Sequence, residues 1–333
     1  MEGRDVVTIG GSSGGVEALA RLAGGLPADL PAAVLVVVHF PEGVPSALPR
    51  ILSRSGPLEA VHPGDGDRVE AGRIYVAPPG THLLLEDGLV RLTRGPKENG
   101  HRPGLDPLFR TAALEYGPRA VGVILTGSLD DGTAGLAAIK ARGGVAVVQD
   151  PDDALFRSMP ESALRYVDVD YCLPVDEMAT LLGWLARESV EERGTYPVSE
   201  DMELEAKIAG LDPTVLEAGR RPGEPSDFTC PECSGPLYEI QDGALTRFRC
   251  RVGHAYTADS ALEGKTDAVE EALYTALNTL EEAAEMAERL AGRARQSGQA
   301  HAAERFEARA RGAREKVGTV RRVLTDGADL DAV

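Results

Sequence analysis

The segment that most constrains the fold is a β-branched run that leads directly into a glycine-rich loop. Val6-Val7-Thr8-Ile9 is followed by Gly10-Gly11-Ser12-Ser13-Gly14-Gly15 and then by apolar residues at helical spacing. A strand, a tight turn and a helix start place Ser12 or Ser13 at the carboxyl edge of a sheet, beside the positive end of a helix. The spacing is neither G-x-G-x-x-G nor a P-loop. The loop alone fits three roles equally: a phosphate site, a nucleophilic serine or a structural turn.

Short apolar runs and helical stretches alternate through residues 1–187. Ala33–His39 is apolar up to its final histidine, as expected of a parallel strand buried on both faces, and Ala120–Leu125 has the same character. A hairpin turned at Asp87-Gly88 is also predicted. The alternation indicates an α/β catalytic domain with a doubly wound, mostly parallel sheet.

Three polar side chains follow strands of this predicted sheet. Ser12 follows the first strand, His39 ends the second, and Asp131 follows Ala120–Leu125. The carboxyl ends of parallel strands share one edge, so a serine, a histidine and an acid meet there as nucleophile, base and orienting carboxylate. Ser13 is the alternative nucleophile and Asp130 the alternative acid. Taken singly, His39 also fits a capped strand end and Asp131 a helix N-cap.

Several short segments follow one another in a specific order and spacing over about residues 5–187. They are Ile9–Leu19, Val38–Pro41, His101–Pro103 with Asp106, Gly122–Gly127, Asp130–Gly132, Gln149–Pro151 and Ser158–Pro160. Together they resemble the chemotaxis receptor protein-glutamate methylesterase family. The resemblance implies that Ser12, His39 and Asp131 form the catalytic triad.

The same resemblance implies residues that bind the substrate and the developing oxyanion. The backbone N–H groups of Ser13 and Ser128 would form the oxyanion hole, and Arg102 would lie with the substrate. Ser128 stands where the best-known members carry methionine.

The resemblance also implies an activity and partners. The chain is expected to hydrolyse glutamyl methyl esters on the cytoplasmic helices of methylated chemoreceptors, with glutamine deamidation as a second activity and no catalytic cofactor. A methyltransferase or another signalling protein is a further candidate partner. Regulated members carry a receiver domain before the catalytic domain; here the first strand begins at Val6, and we expect that switch to be absent. The alternative is a non-catalytic signalling adaptor with a vestigial esterase site.

Charge and hydropathy exclude some classes of partner. The formal net charge is −18, so a nucleic acid backbone would be repelled overall. No apolar run reaches membrane-spanning length, and no signal-peptide core precedes the first strand. The sequence therefore predicts a cytoplasmic protein with no membrane insertion.

Four residues in the second half have the spacing of metal ligands. Cys230 and Cys233 form C-x2-C, and Cys250 and His254 form C-x3-H after sixteen intervening residues. Two such knuckles around a hairpin provide four tetrahedral ligands, so we predict structural zinc. The remaining cysteine, Cys172, is expected to be a buried core thiol.

The second half of the chain is predicted to contain three segments. Residues 188–227 are rich in Glu, Pro, Gly and Arg and are interpreted as a linker with one short helical piece. Residues 228–258 form a zinc-ribbon-like module, which we call the ribbon module and expect to be independent of catalysis. Residues 259–326 are predicted to form a helical hairpin whose apolar stripe is its own core, with self-association or docking on a helical partner as the alternative. Its predicted seam is Val269, Leu273, Ala276, Leu280, Ala283, Ala287 and Leu290 against Ala302, Phe306, Arg309, Ala313, Val317, Val320 and Leu324.

Overall fold

The computed structural model describes residues 3–40, 43–190 and 196–326. The chain divides into two compact units, one that ends at Ala261 and one that begins at Leu262. The first unit contains the central sheet, the predicted linker and the ribbon module.

A seven-stranded parallel sheet lies at the centre of the first unit. Its strands are β1 (Val6–Gly11), β2 (Ala33–Val38), β3 (Glu59–Val61), β4 (Arg73–Val76), β7 (Ala120–Ile124), β8 (Val145–Gln149) and β9 (Tyr171–Leu173). Strands β5 (His82–Glu86) and β6 (Leu89–Thr93) form a separate hairpin. The sheet order is β3-β4-β2-β1-β7-β8-β9, and every neighbouring pair is parallel. Every residue of β1 and β2 is buried, as expected of strands covered on both faces.

Helices cover both faces of this sheet, which confirms the predicted doubly wound α/β fold. Buried side chains of α1, α2 and α6 pack on one face, and those of α3, α4 and α5 pack on the other together with the β5–β6 hairpin. The helices are α1 (Gly15–Gly25), α2 (Leu48–Ser55), α3 (Leu105–Tyr116), α4 (Thr133–Ala141), α5 (Ser158–Tyr166) and α6 (Val175–Leu185), with a short 3-10 turn at Gly117–Arg119.

Glycine allows α3 to begin very close to the central strand. A Cβ atom at Gly10 would lie 1.9 Å from Leu105 Cδ2, and one at Gly135 would lie 2.6 Å from Phe109 Cβ. No side chain fits at either point, so the first turn of α3 contacts β1 and α4 directly. The amide groups at the start of α3 therefore reach the carboxyl edge of the sheet.

The prediction that Cys172 is buried is wrong. Its thiol is exposed, because β9 is an edge strand of the sheet and its middle residue faces solvent. The short strand β3 on the opposite edge and helix α2 are further elements that the sequence patterns did not indicate.

The part of the predicted linker that the structure describes is folded and has two helices where one short helical piece was predicted. It contains α7 (Glu200–Ala209) and α8 (Pro213–Ala218). Leu204 and Ile208 of α7 are buried, and the Thr93 hydroxyl donates to the last carbonyl of α7 at 2.7 Å. Helix α7 contacts α3, and its two apolar residues, one helical turn apart, form a small buried cluster with Val215 of α8.

The ribbon module is a four-stranded antiparallel sheet in which strand order follows chain order. The predicted hairpin is present, and it turns at Gly243, whose φ is 60°. The strands are β10 (Glu224–Thr229), β11 (Pro236–Asp242), β12 (Leu245–Cys250) and β13 (Ala255–Thr257).

Two glutamates and three arginines form a buried group that joins the ribbon module and α7 to the α/β body. We call Glu98, Arg110, Glu205, Arg247 and Arg249 the ionic cluster. Glu205 of α7 binds Arg247 in two bonds of 2.7 and 3.0 Å, and Arg249 at 2.8 Å. Glu98 of the body binds Arg110 at 3.0 Å and Arg249 at 2.8 Å. Burial raises the pKa of Glu205, but the arginines outweigh it and hold that pKa well below its usual range.

The second unit is a helical hairpin formed by most of α9 (Ala258–Gln296) and by α10 (Ala300–Asp326). Within the described ranges, no helix is long and apolar enough to cross a membrane. Val269 of the predicted seam is 57% exposed. Three of the predicted positions are buried and six more are half-buried: Ala287, Ala313 and Val317, then Leu273, Leu280, Ala302, Phe306, Val320 and Leu324. The buried positions are mostly alanines, which let the helices approach closely: Ala284, Ala287, Ala291, Ala294, Ala303, Ala310, Ala313 and Val317.

We predict that Glu205→Gln strongly destabilises the first unit. The substitution keeps the shape but leaves buried arginines short of a carboxylate, which costs about 3–5 kcal/mol in comparable buried pairs. The measurement is the free energy of unfolding in urea, followed by the fluorescence of the single tryptophan, Trp184. The control is Glu203→Gln on the exposed side of the same helix, expected to stay within about 0.5 kcal/mol. Equal effects of the two substitutions would contradict the role of the ionic cluster.

Candidate active site

Ser12 lies where the central strand turns into the first helix. Strand β1 ends at Gly11, and the Ser12 amide donates to the carbonyl oxygen of Thr126 at 3.0 Å. Gly14 precedes α1 with a φ of 75°, a left-handed conformation that glycine adopts without strain. The loop therefore holds Ser12 at the carboxyl edge of the sheet.

The imidazole of His39 connects Ser12 to Asp131. Strands β1 and β2 pair directly, so the residues that follow them share one edge. His39 Nδ1 lies 3.1 Å from Ser12 Oγ, and His39 Nε2 lies 2.8 Å from Asp131 Oδ2. A carboxylate only accepts, so the proton of the neutral ring lies on Nε2 and Nδ1 accepts from the serine hydroxyl. The ring is oriented as a base toward Ser12.

The carboxylate of Asp131 is buried and held by three donors. Its Oδ2 accepts from His39 Nε2 and from the Leu105 amide at 2.8 Å each, and its Oδ1 accepts from Asn99 Nδ2 at 2.9 Å. Burial raises the pKa of Asp131, but its hydrogen bonds and the neighbouring histidines outweigh burial and lower the pKa well below its usual value. Asp131 is therefore ionised at neutral pH.

Asn99 is a residue of this site that sequence reasoning missed. Its Nδ2 donates to Asp131 and also to Asp106 Oδ2 at 3.0 Å. Its φ is 50°, a left-handed conformation that asparagine tolerates. The only signal in the sequence was the Asn99-Gly100 pair, which indicates a turn without indicating what the side chain binds.

Asp106 is a second buried carboxyl beside Asp131. Burial and the negative charge of Asp131 raise the pKa of Asp106 to about 8. Its Oδ1 accepts from the Gly135 amide at 2.7 Å. A proton on Asp106 at neutral pH removes the repulsion between the two acids, so one site holds one ionised and one neutral carboxyl.

His101 stacks on His39 and limits the orientation of its ring. The ring centroids are 3.6 Å apart and the planes differ by 16°. Burial, followed by the charge of His39, lowers the pKa of His101 to about 4. His101 is therefore uncharged at neutral pH, and its ring packs flat against the ring of His39.

The serines predicted to line the oxyanion site lie next to each other. Ser13 Oγ and Ser128 Oγ are 3.4 Å apart, and Ser128 is exposed. Among the described residues, the backbone N–H groups of Ser13 and Ser128 donate no hydrogen bond. Both amides are thus available to a bound group near Ser12.

Two other predicted residues have different neighbours. Arg102 Nη1 donates to the Gly95 carbonyl oxygen at 3.0 Å, so its guanidinium lies on the chain that leaves the β5–β6 hairpin. Asp130, the alternative acid, accepts from Ser260 Oγ at 2.8 Å and not from His39. The observed geometry favours Asp131 as the partner of the imidazole.

The four predicted metal ligands converge in the ribbon module. The ligand atoms of Cys230, Cys233, Cys250 and His254 all lie within 4.8 Å of one another. His254 Nδ1 lies 3.6 Å from the Sγ atoms of Cys230 and Cys250, and the Sγ atoms of Cys233 and Cys250 are also 3.6 Å apart. Ligand atoms around a tetrahedral zinc ion are about 3.5–3.8 Å apart. His254 Nε2 lies 3.2 Å from a Glu232 oxygen, the arrangement that orients ligating histidines in metal sites.

The ribbon module contacts the loop that carries Asn99, although the sequence predicts a module separate from the triad. The Asn99 amide donates to the Ala255 carbonyl at 2.7 Å, and the Ala255 amide donates to the Lys97 carbonyl at 3.2 Å. The Thr257 amide donates to Asn99 Oδ1 at 3.0 Å. Strand β13 is therefore bonded to the loop that carries Asn99.

The sequence of the α/β body matches known proteins. The sequence model of the CheB methylesterase family matches residues 7–182. Protein-glutamate methylesterase/protein-glutamine glutaminase 2 of Anaeromyxobacter dehalogenans is 41% identical over 183 residues, which cover 55% of this chain and 54% of the relative. The protein of that name from Methanosarcina mazei is 38% identical over 184 residues, 53% of this chain and 50% of the relative. This chain thus spans about half the length of these curated relatives.

The fold also matches a solved structure. The crystal structure of the Thermotoga maritima CheB methylesterase catalytic domain aligns with a TM-score of 0.53 at 33% identity. The alignment covers 56% of this chain and 100% of that domain.

We predict that a serine-directed fluorophosphonate labels Ser12 and not Ser13. Of these two serines, Ser12 is the one whose hydroxyl is hydrogen-bonded to an imidazole nitrogen that can accept its proton. Intact-mass and peptide mass spectrometry locate the label, which Ser12→Ala should abolish. Ser13→Ala keeps the backbone N–H and should still be labelled. Labelling that survives Ser12→Ala and is lost in Ser13→Ala would move the assignment by one residue.

Proposed function

Since this chain belongs to the CheB methylesterase family, we propose that it hydrolyses glutamyl methyl esters on the cytoplasmic helices of chemotaxis receptors, with Ser12 as nucleophile. The observation that carries the proposal is the continuous hydrogen-bond path from Ser12 through His39 to Asp131. The relatives are named for methylesterase and glutaminase activity, and glutamine deamidation at the same site is part of the proposal.

In the first half of the reaction, Ser12 Oγ attacks the ester carbonyl carbon while His39 Nδ1 takes its proton. The negative charge moves to the carbonyl oxygen, where the amides of Ser13 and Ser128 would donate to it. Such donors typically contribute a few kcal/mol of transition-state stabilisation. The intermediate then expels methoxide, which takes the proton from His39 and leaves as methanol. The product is a glutamyl ester of Ser12.

In the second half, water replaces the alcohol. His39 Nδ1 takes a proton from water, and the hydroxyl attacks the glutamyl-enzyme carbonyl. Collapse returns the proton from His39 to Ser12 Oγ and releases a glutamic acid side chain, which then loses its carboxyl proton to solvent. A glutamine side chain follows the same course, with ammonia as the first leaving group.

Asp131 would act throughout as a fixed negative charge. Its low pKa keeps it ionised beside the imidazolium that forms twice in the cycle. It also holds the His39 proton on Nε2, which leaves Nδ1 facing Ser12. The steps proposed here use only side chains and amides of the α/β body, and no cofactor takes part in them.

The test is methanol release from a methylated receptor cytoplasmic fragment. Ser12→Ala should lower kcat by about 10⁴-fold or more, because the attacking oxygen is lost while the fold is kept. Ser55→Ala on α2, an exposed serine away from the site, is the matched control and should leave the rate unchanged. A full chain that is folded and releases no methanol would instead support the adaptor alternative.

We also propose that the Cys3His group holds one structural zinc ion. Zinc bound there would contribute folding free energy to the ribbon module, and four protein ligands leave no position for a catalytic water. Elemental analysis of the purified chain should give one zinc per chain, and Cys233→Ser should lower that content. Cys172→Ser, on a thiol outside the group, should not change it. A chain purified without chelators that carries no zinc would contradict this assignment.

A further inference from the structure

We propose that Asn99 is a positioning residue for Asp131, and that strand β13 of the ribbon module sets the orientation of its amide. This inference deepens the proposed esterase function and rests on it. It makes the ribbon module part of the esterase site, although that module lies outside the matched family segment.

Both ends of the Asn99 side-chain amide are hydrogen-bonded. Its Nδ2 donates to Asp131 Oδ1 and Asp106 Oδ2, so both amide hydrogens are used. Its Oδ1 accepts from the Thr257 amide, which belongs to β13. A flip of the amide would bring Oδ1 against two acids and Nδ2 against an N–H donor. The Thr257 amide therefore fixes which end of Asn99 faces Asp131.

The backbone of Asn99 is held by the same strand. The Asn99 amide bonds the Ala255 carbonyl, and the Ala255 amide bonds the Lys97 carbonyl. Ala255 directly follows His254, so the Cys3His group anchors the start of β13. The residue between the two bonded positions, Glu98, belongs to the ionic cluster through Arg249 of β12. Side chain and backbone of this loop thus both depend on the ribbon module.

Gly253 of the ribbon module packs tightly against Pro96 of the body and Ile208 of α7. A Cβ atom there would lie 2.8 Å from Pro96 Cγ and 2.7 Å from Ile208 Cγ2, and its φ of 112° disfavours any side chain. The added methyl group of Gly253→Ala should therefore push the ribbon module away from Pro96, which precedes the loop of Asn99. Gly243 offers a matched control, because it also has a positive φ of 60° in the same module but has open space around it.

The first experiment tests Asn99 in the full chain. Asn99→Ala should lower kcat for a small glutamyl methyl ester by about 10–100-fold with little change in KM, because a misplaced Asp131 disturbs the transition state and not binding. The low-field ¹H resonance of the proton between His39 Nε2 and Asp131 Oδ2 should shift or broaden. Asn278→Ala, on an exposed asparagine of α9, should change neither. A normal kcat and an unchanged resonance in a folded Asn99→Ala would overturn the positioning role.

The second experiment tests the ribbon module. Gly253→Ala should reproduce the resonance change and the kcat loss, and Gly243→Ala should not. Loss of stability in Gly253→Ala with the resonance and kcat of the folded protein unchanged would mean that the ribbon module only stabilises the body, and would overturn the proposal.

Two readouts separate this inference from the proposed function. The resonance and the rate of fluorophosphonate labelling need no ester substrate, so they report the site even if no methanol is released. If no methanol is released but both readouts change as predicted, the proposed substrate is wrong and the positioning role is supported. If Asn99→Ala releases methanol at the normal rate, the substrate is supported and the positioning role is wrong.

Discussion

The burial of the Asp131 carboxylate is the constraint on which the rest of the structure depends. An ionised carboxylate that is out of contact with water is costly unless donors replace the lost solvation. Asp131 is 2% exposed, and its donors come from the end of β2, the start of α3 and the loop after the β5–β6 hairpin. The start of α3 also brings the positive end of a helix to the charge. The sheet edge, the helix and the loop must therefore all be in place for one side chain to be ionised.

The loop that carries Asn99 is bonded to strand β13 of the ribbon module. Asn99 and Glu98 are neighbours in sequence, yet one binds Asp131 and the other binds Arg110 and Arg249. Buried ion pairs contribute little net stability, but they fit only the arrangement that pairs every charge. We interpret the ionic cluster as a device that fixes the ribbon module in one position on the body. A site that tolerates only small errors in geometry benefits from that restriction.

Local patterns explain why much of the fold was predictable. The valine-rich strand β2, the Asp87-Gly88 hairpin and the C-x2-C and C-x3-H knuckles each depend on residues close together in the chain. The roles of Ser12, His39 and Asp131 stay predictions, although the structure brings their side chains into one hydrogen-bonded path. Each of these residues directly follows a predicted strand or lies in the loop beyond it. That position can be recognised from a single sequence, because it depends only on where the strands are predicted to end.

The interactions that could not be predicted join residues far apart in the chain. Glu205 lies in a segment rich in charged residues, and only its arginine partners from β12 and α3 distinguish it from a solvated glutamate. Five buried alanines of the hairpin were missed because alanine is compatible with both exposed and buried helix positions: Ala284, Ala291, Ala294, Ala303 and Ala310. Asn99 was missed because an Asn-Gly pair predicts only a turn. The pair does not indicate that folding brings the carboxyl groups of Asp106 and Asp131 to the Asn99 side chain.

The most direct test of the account is a double-mutant cycle between Asn99→Ala and Gly253→Ala, measured as the rate of fluorophosphonate labelling at Ser12. If the ribbon module acts on the site through Asn99, the double variant should be labelled no more slowly than Asn99→Ala alone, within about twofold, because the interaction is already lost. If the two losses multiply instead, the ribbon module and Asn99 act independently, and the claim that β13 orients Asn99 is wrong.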